Sequence, residues 1–142
     1  MASISLCMIV KNEEDVLGRC LDSVADLVDE IVIVDTGSTD RTREIAARFT
    51  DQIFDFPWQD DFAAARNESF AHAAMDYCMW LDADDVLLEE DREKFLALKE
   101  GLSPAVSVVM APYHTGFDKD GRVTFLYYRE RIIKNRAGMH WA

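Results

Sequence analysis

Cysteine is scarce in this 142-residue chain. Cys7, Cys20 and Cys78 are odd in number, scattered, and each sits in an apolar segment. That excludes a disulfide framework or a zinc cluster and fits reduced core thiols in a cytoplasmic protein. Positive charge is also short: 15 Lys and Arg stand against 27 Asp and Glu, for a net charge of -12. A nucleic-acid binder would show a basic patch, so that class is set aside. An anionic substrate would need local help from a cation or a well-placed arginine. No apolar run approaches the roughly 20 residues of a membrane helix. Met1-Ala2-Ser3-Ile4 has no basic segment ahead of an apolar one, so no signal peptide is expected. Glycine is missing where a dinucleotide-binding domain needs it, because Lys11-Asn12-Glu13-Glu14 stands in place of Gly-X-Gly-X-X-Gly. No internal repeat or low-complexity linker divides the chain.

What remains is a chain with 49% apolar residues, enough for one globular domain with a single core. Ile4 to Val10 and Ile31 to Val34 are short β-branched-rich runs, the pattern of strands buried on both faces. Gln52 to Phe56 is a weaker strand closed by Pro57, and Tyr77 to Leu81 is a fourth. Between them lie helical segments. Val16, Leu17, Cys20, Leu21 and Val24 share one face, with Asn12 as the expected N-cap and Glu13, Glu14 and Asp15 in the first turn. A second helix runs through Ile45, Ala46 and Phe49, capped by Asp40. A third, opened by Asp60 or Asp61, carries Phe62, Ala65, Arg66, Ser69, Phe70 and Ala73. Glu89 to Leu98 is a charged surface helix, ended by Gly101 and Pro104. Ala105 to Ala111 reads as a fifth strand, Lys119-Asp120-Gly121 as a hairpin turn, and Val123 to Ile133 as a strand interrupted by Arg129 and Arg131. The alternation predicts an α/β fold, with a mostly parallel sheet, helices on both faces and a C-terminal β-hairpin. An open hairpin edge near Val123 to Ile133 would favour a homo-dimer.

The stretch Trp80-Leu81-Asp82-Ala83-Asp84-Asp85 carries the chemistry. Carboxyl ends of parallel strands are where ligands bind in such sheets. Asp82 and Asp84, at i and i+2 past a strand, can reach one divalent cation directly or through water. Mg2+ or Mn2+ takes oxygen ligands and bridges carboxylates to substrate phosphates. The competing reading is a solvated acidic loop, with Asp85 capping the next helix. Asn12-Glu13 and Asp35-Thr36-Gly37-Ser38 end two other strands and would converge on the same edge. The competing reading of Asp35 is a turn residue bonding its own backbone. His72 reads as packed or exposed on its helix, and Trp58, Trp80 and Trp141 as core or interface.

Four segments together resemble the inverting glycosyltransferases of family 2. They are residues 4–14, residues 31–40, Ala65-Arg66-Asn67 and residues 80–85, in the family's order and at about its spacing. The likeness is strong over residues 3–90 and looser beyond. It implies a GT-A fold and transfer of a sugar from a nucleotide diphosphate sugar to an acceptor (a glycan, lipid or peptide). Asp35 would hydrogen-bond the base, usually uracil. Asn12 and Glu13 would line the same pocket, with Arg66 and Asn67 on the nucleotide side. Asp84 would bind Mn2+ or Mg2+, and Asp82 would face the ribose or a metal-bound water. The general base has no match. His114, Asp118, Asp120 and His140 are candidates, and the stretch from Arg131 to Trp141 resembles the segment ahead of a later acidic element in relatives. Residues 1–142 are therefore expected to be a catalytic domain truncated at its C-terminal end. The rival enzyme, a sugar nucleotidyltransferase, resembles Gly-rich signatures after the first strand that this chain lacks. A receiver-type signalling domain is matched only by Glu13-Glu14. The rival from another class is a non-catalytic fragment that binds nucleotide or a partner without turnover.

Overall fold

The computed structural model describes residues 2–102, 108–117 and 123–135, and the apolar runs of the sequence are its strands. Strands β1 (Ile4–Val10), β2 (Glu30–Asp35), β3 (Ile53–Asp55) and β4 (Tyr77–Trp80) alternate with helices α1 (Leu17–Val24), α2 (Thr42–Ala46) and α3 (Phe62–Ala71). A 3-10 turn, Glu89–Asp91, leads into α4 (Arg92–Gly101), and β5 (Val108–Phe117) and β6 (Val123–Lys134) follow. The six strands form one sheet in the order β3-β2-β1-β4-β6-β5. The first four are parallel, while β6 runs antiparallel to both β4 and β5.

Alternation along β1 sorts the core onto two faces. Ile4, Leu6, Met8 and Val10 pack with Leu17, Leu21 and Val24 of α1, Ala46 of α2 and Phe95 of α4. Cys7 points the other way, into a smaller cluster with Val32, Ala73 and Cys78, against which Phe54 and Phe70 pack. Helix α3 lies on β1 and β2. Helices therefore cover both faces, as the α/β reading requires. All three cysteines are buried free thiols.

Several boundaries differ from the sequence reading, for local reasons. Asn12 does not cap α1. It takes a left-handed backbone (φ 52°), and α1 starts at Leu17 with no acid in its first turn. The entry turn is made instead by the Glu13 carbonyl, which accepts from the amides of Val16 and Leu17. Helix α2 stops at Ala46, before Phe49. Asp61 does cap α3, accepting from the Ala64 amide at 3.1 Å. Asp85 caps nothing, since Leu88 precedes the 3-10 turn. Strand β6 pairs with β5 along most of its length, and β4 covers its other edge only at its C-terminal end, Ile132 to Lys134. The Lys119-Asp120-Gly121 turn lies outside the described residues.

Candidate functional site

Because β2 and β3 lie to one side of β1 and β4 to the other, the strand order reverses between β1 and β4. In open parallel sheets the crevice at that switch point, past the carboxyl ends of the strands, is where ligands bind. The loops after β1, β2 and β4 meet there.

The first two loops are laced together by side chains. The Asn12 amide donates to Ser38 Oγ at 2.9 Å, and Asn12 Oδ1 accepts from the Thr39 amide at 2.8 Å. The Glu13 amide donates to Thr42 Oγ1 at 2.7 Å, and Glu14 bonds the Arg41 amide. Asp40 accepts from the amides of Thr42 and Glu14 and so ties the two loops together, but it is not the expected cap of α2, whose N-cap position is Arg41. An αL asparagine tolerates the backbone shape that this lacing needs.

Asp35 ends β2 and is only 2% exposed. Its Oδ1 accepts from the Gly37 and Ser38 amides at 3.2 and 2.9 Å, and its Oδ2 from Arg43 at 3.2 Å. Arg43 also pairs with Asp55. Gly37 sits at φ +122°, a conformation L side chains rarely adopt, so the turn that aims both amides at Asp35 needs glycine there. Burial alone would raise the Asp35 pKa. The amides and hydroxyl of the turn, with Arg43, outweigh it and hold the carboxyl below its ordinary value.

The loop after β4 is a turn closed on itself. The Asp85 amide donates to the Asp82 carbonyl at 2.9 Å, and Asp85 Oδ2 accepts the Asp82 amide at 2.8 Å. That fold-back leaves the side chains of Asp82 and Asp84 exposed and spends Asp85 internally. Burial and the charges of Asp85 and Asp84 raise the Asp82 pKa, against a pull from Arg66 and Arg131. Arg66 Nη2 lies 3.9 Å from Asp82 Oδ1, and the Arg66 guanidinium sits over the Trp80 ring, 4.0 Å from its centroid. Asn67 is half-buried one position further along α3. Glu13 feels the β4 turn from across the crevice. Its pKa is raised first by burial and then by Asp84, Asp40 and Asp82. Asn12, Glu13 and Asp35 are thus joined to one another through the two laced loops, and Glu13 to Asp82 and Asp84 by charge.

The donor chemistry fits a hard divalent cation. Asp82 and Asp84 are exposed carboxylates on one turn, while the described residues hold no cluster of three or more His, Cys, Asp or Glu side chains able to cage a metal alone. Mg2+ in particular is held by one or two carboxylates and completes its shell with water and phosphates. Cys20 is no rival ligand: its Sγ donates to the Asp82 carbonyl at 3.7 Å, and burial followed by the nearby aspartates pushes its pKa up to about 12. The candidate bases Asp118, Asp120 and His140 lie outside the described residues, as does Trp141, and His114 falls in β5. Trp80 is buried, whereas Trp58 is partly exposed and meets Phe62 edge-on at 4.8 Å.

One residue at this edge gave no functional signal in the sequence. Arg131, on β6, is 7% exposed and donates to Asp85 Oδ2 at 2.9 Å. The only trace was an arginine breaking an apolar strand pattern.

The model of glycosyl transferase family 2 matches residues 5–141. The chain belongs to this family. Among curated relatives, a TPR repeat-containing protein of Synechococcus elongatus is 50% identical over 90 residues, covering 63% of this chain and 22% of that protein. The prophage-derived glycosyltransferase SunS of Bacillus subtilis is 32% identical over 114 residues, covering 78% and 27%. The chain therefore spans about a quarter of the length of either relative. Among solved structures, the glucosyl-3-phosphoglycerate synthase of Mycobacterium tuberculosis superposes with a TM-score of 0.61 at 22% identity, over 75% of this chain and 44% of that one. The shared architecture is the GT-A fold of the family. The complex of that synthase with Mn2+ and UDP-glucose matches at 26% identity and a TM-score of 0.52, over 60% of this chain and 34% of that one.

Proposed function

We propose that residues 1–142 form the donor half of a family 2 catalytic domain, which moves a sugar from a UDP-sugar to an acceptor with inversion. The reading is carried by one observation: the exposed Asp82–Asp84 turn faces the laced loops after β1 and β2 at the switch point of a parallel sheet. It is supported by the synthase structures that contain UDP with Mg2+ or Mn2+.

Each residue then has a task. Asp35 would accept the imide N–H of uracil through Oδ2, with the half-exposed Arg43 moving aside to open the approach. The loops at Asn12 and Glu13 would wall the base pocket, and their mutual hydrogen bonds keep that wall in place before the donor arrives. Arg66 and Asn67 would face the nucleotide, Arg66 adding positive charge beside the diphosphate. Asp84 would hold Mg2+ or Mn2+, and Asp82 would take the ribose hydroxyl or a water of the ion. When bound, the ion supplies Lewis-acid stabilisation to the departing diphosphate. The chain's own contribution is to hold the donor still and to exclude water along the crevice. The buried free thiols are in keeping with a reducing compartment such as the cytoplasm.

The test is calorimetric titration of UDP with Mn2+ and with EDTA, on the native chain and on Asp84→Ala. We expect micromolar binding that requires Mn2+ and is lost in the variant. A folded protein that binds no UDP under either condition would remove the donor-site assignment.

A further inference from the structure

Arg131 holds the carboxylate turn from both ends. It extends from β6, whose residue Ile132 pairs with Met79 of β4, so the arginine lies alongside Trp80 at the very end of that strand. Its Nη1 donates to the Trp80 carbonyl at 3.3 Å and to Asp85 Oδ2 at 2.9 Å. Those two acceptors bracket residues 81–84. The same Asp85 oxygen also takes the Asp82 amide, so a single carboxylate atom joins the arginine to the backbone of the first candidate ligand.

The guanidinium is also stacked. Its Cζ is 4.1 Å from the Trp80 ring centroid, and that of Arg66 is 4.0 Å from it. Both guanidinium groups therefore lie over the same Trp80 ring. Each contact is a cation–π interaction. Burying an arginine charge is costly unless it is paired and hydrogen-bonded, and here the pairing partner is a residue of the turn itself. A planar guanidinium, which can stack while it donates in its plane, fits this place; an ammonium does not.

We propose that Arg131 is the positioning residue of the Asp82–Asp84 turn: through Asp85 and the Trp80 carbonyl it fixes the turn in the shape that receives the cation–diphosphate pair. The inference rests on the donor-site reading given above. It assigns Asp85 the role of a strut, bonded away from the ion.

The experiment measures the Mn2+ concentration that gives half-maximal UDP binding, by calorimetry, for the native chain, Arg131→Lys, Asp85→Asn and the double variant. Partners that orient metal ligands typically cost roughly 10–100-fold in metal affinity when altered, and a rise of that size is expected for each single variant. The double variant should be no worse than the poorer single, because both remove the same strut. A purely structural role would lower the binding stoichiometry, as less protein is folded, and leave the Mn2+ midpoint of the remainder in place. Midpoints within about twofold of native in both single variants overturn the proposal, and so do losses that multiply in the double variant. If the native chain itself shows no Mn2+-dependent UDP binding, the donor-site reading fails first and carries this inference with it. If only the variants fail, the donor-site reading stands.

Discussion

Asp35 and Glu13 end neighbouring strand regions at the same sheet edge, and their surroundings drive them in opposite directions. For Asp35 the turn amides, the Ser38 hydroxyl and Arg43 overcome the cost of burial and lower its pKa. A carboxylate with a lowered folded pKa contributes stability above its unfolded value of ~3.9, and loses it as pH falls through the folded value. Asp35→Asn keeps an acceptor for the amides but gives up the charge on which Arg43 acts. We expect a loss of about 1–3 kcal/mol at pH 7, with native and variant converging as pH falls below about 4. Urea midpoints across that range would measure it, and a gap independent of pH would contradict the charge argument. For Glu13 the sign is reversed. Burial and the charges of Asp84, Asp40 and Asp82 raise its pKa, so its ionised form is a net cost to the folded state at neutral pH. Glu13→Gln should therefore stabilise the chain at pH 7, by about 0.5 kcal/mol for a partly exposed group. That gain should vanish below the unfolded glutamate value of ~4.3, where the native side chain is protonated in both states.

Helix α1 shows how a well-read element can still have a misread boundary. Its apolar face, Leu17, Cys20, Leu21 and Val24, is fully buried against the even-numbered side chains of β1. The 3.6-residue spacing made that face legible. Leu21→Ala should cost about 2–5 kcal/mol, seen as a lower denaturant midpoint at unchanged slope. The helix start was not legible, because Asn12 and three acids look like a cap and first turn. The hydrogen-bond partners of Asn12, Glu13 and Glu14 are Ser38, Thr39, Thr42, Asp40 and Arg41, some 26 to 29 residues away, and no local pattern carries that pairing. The same limit hid Arg131. Strands β1, β2 and β4 announce themselves by apolar runs, and Asp82, Asp84 and Arg66 by spacing and family likeness. Arg131 reaches Asp85, 46 positions away in the chain, only because β6 is inserted beside β4.

At the scale of the whole molecule, a net charge of -12 and a proposed anionic donor must be reconciled. Repulsion among like charges opposes the compact state and is screened by salt. The Debye length falls from ~30 Å at about 0.01 M to ~8 Å at about 0.15 M. The thermal midpoint should therefore rise with NaCl over that range, whatever the site does. A ligand that binds only the folded state adds a separate increment, about 2.7 kcal/mol at a hundredfold excess over Kd. The two effects can be separated at fixed ionic strength by adding Mn2+ with UDP. Both the native chain and Asp84→Ala should keep the NaCl slope, since removing one charge of many hardly alters the general field. Only the native chain should gain the Mn2+–UDP increment. A native chain with no NaCl dependence would mean that its acids are locally paired, as Asp35, Asp85 and Asp29 are by Arg43, Arg131 and Lys99. An increment retained by Asp84→Ala would mean that the cation is held elsewhere on the chain. The increment confined to the native protein would show that the acidic surface tolerates an anionic donor because a cation on the β4 turn neutralises it locally.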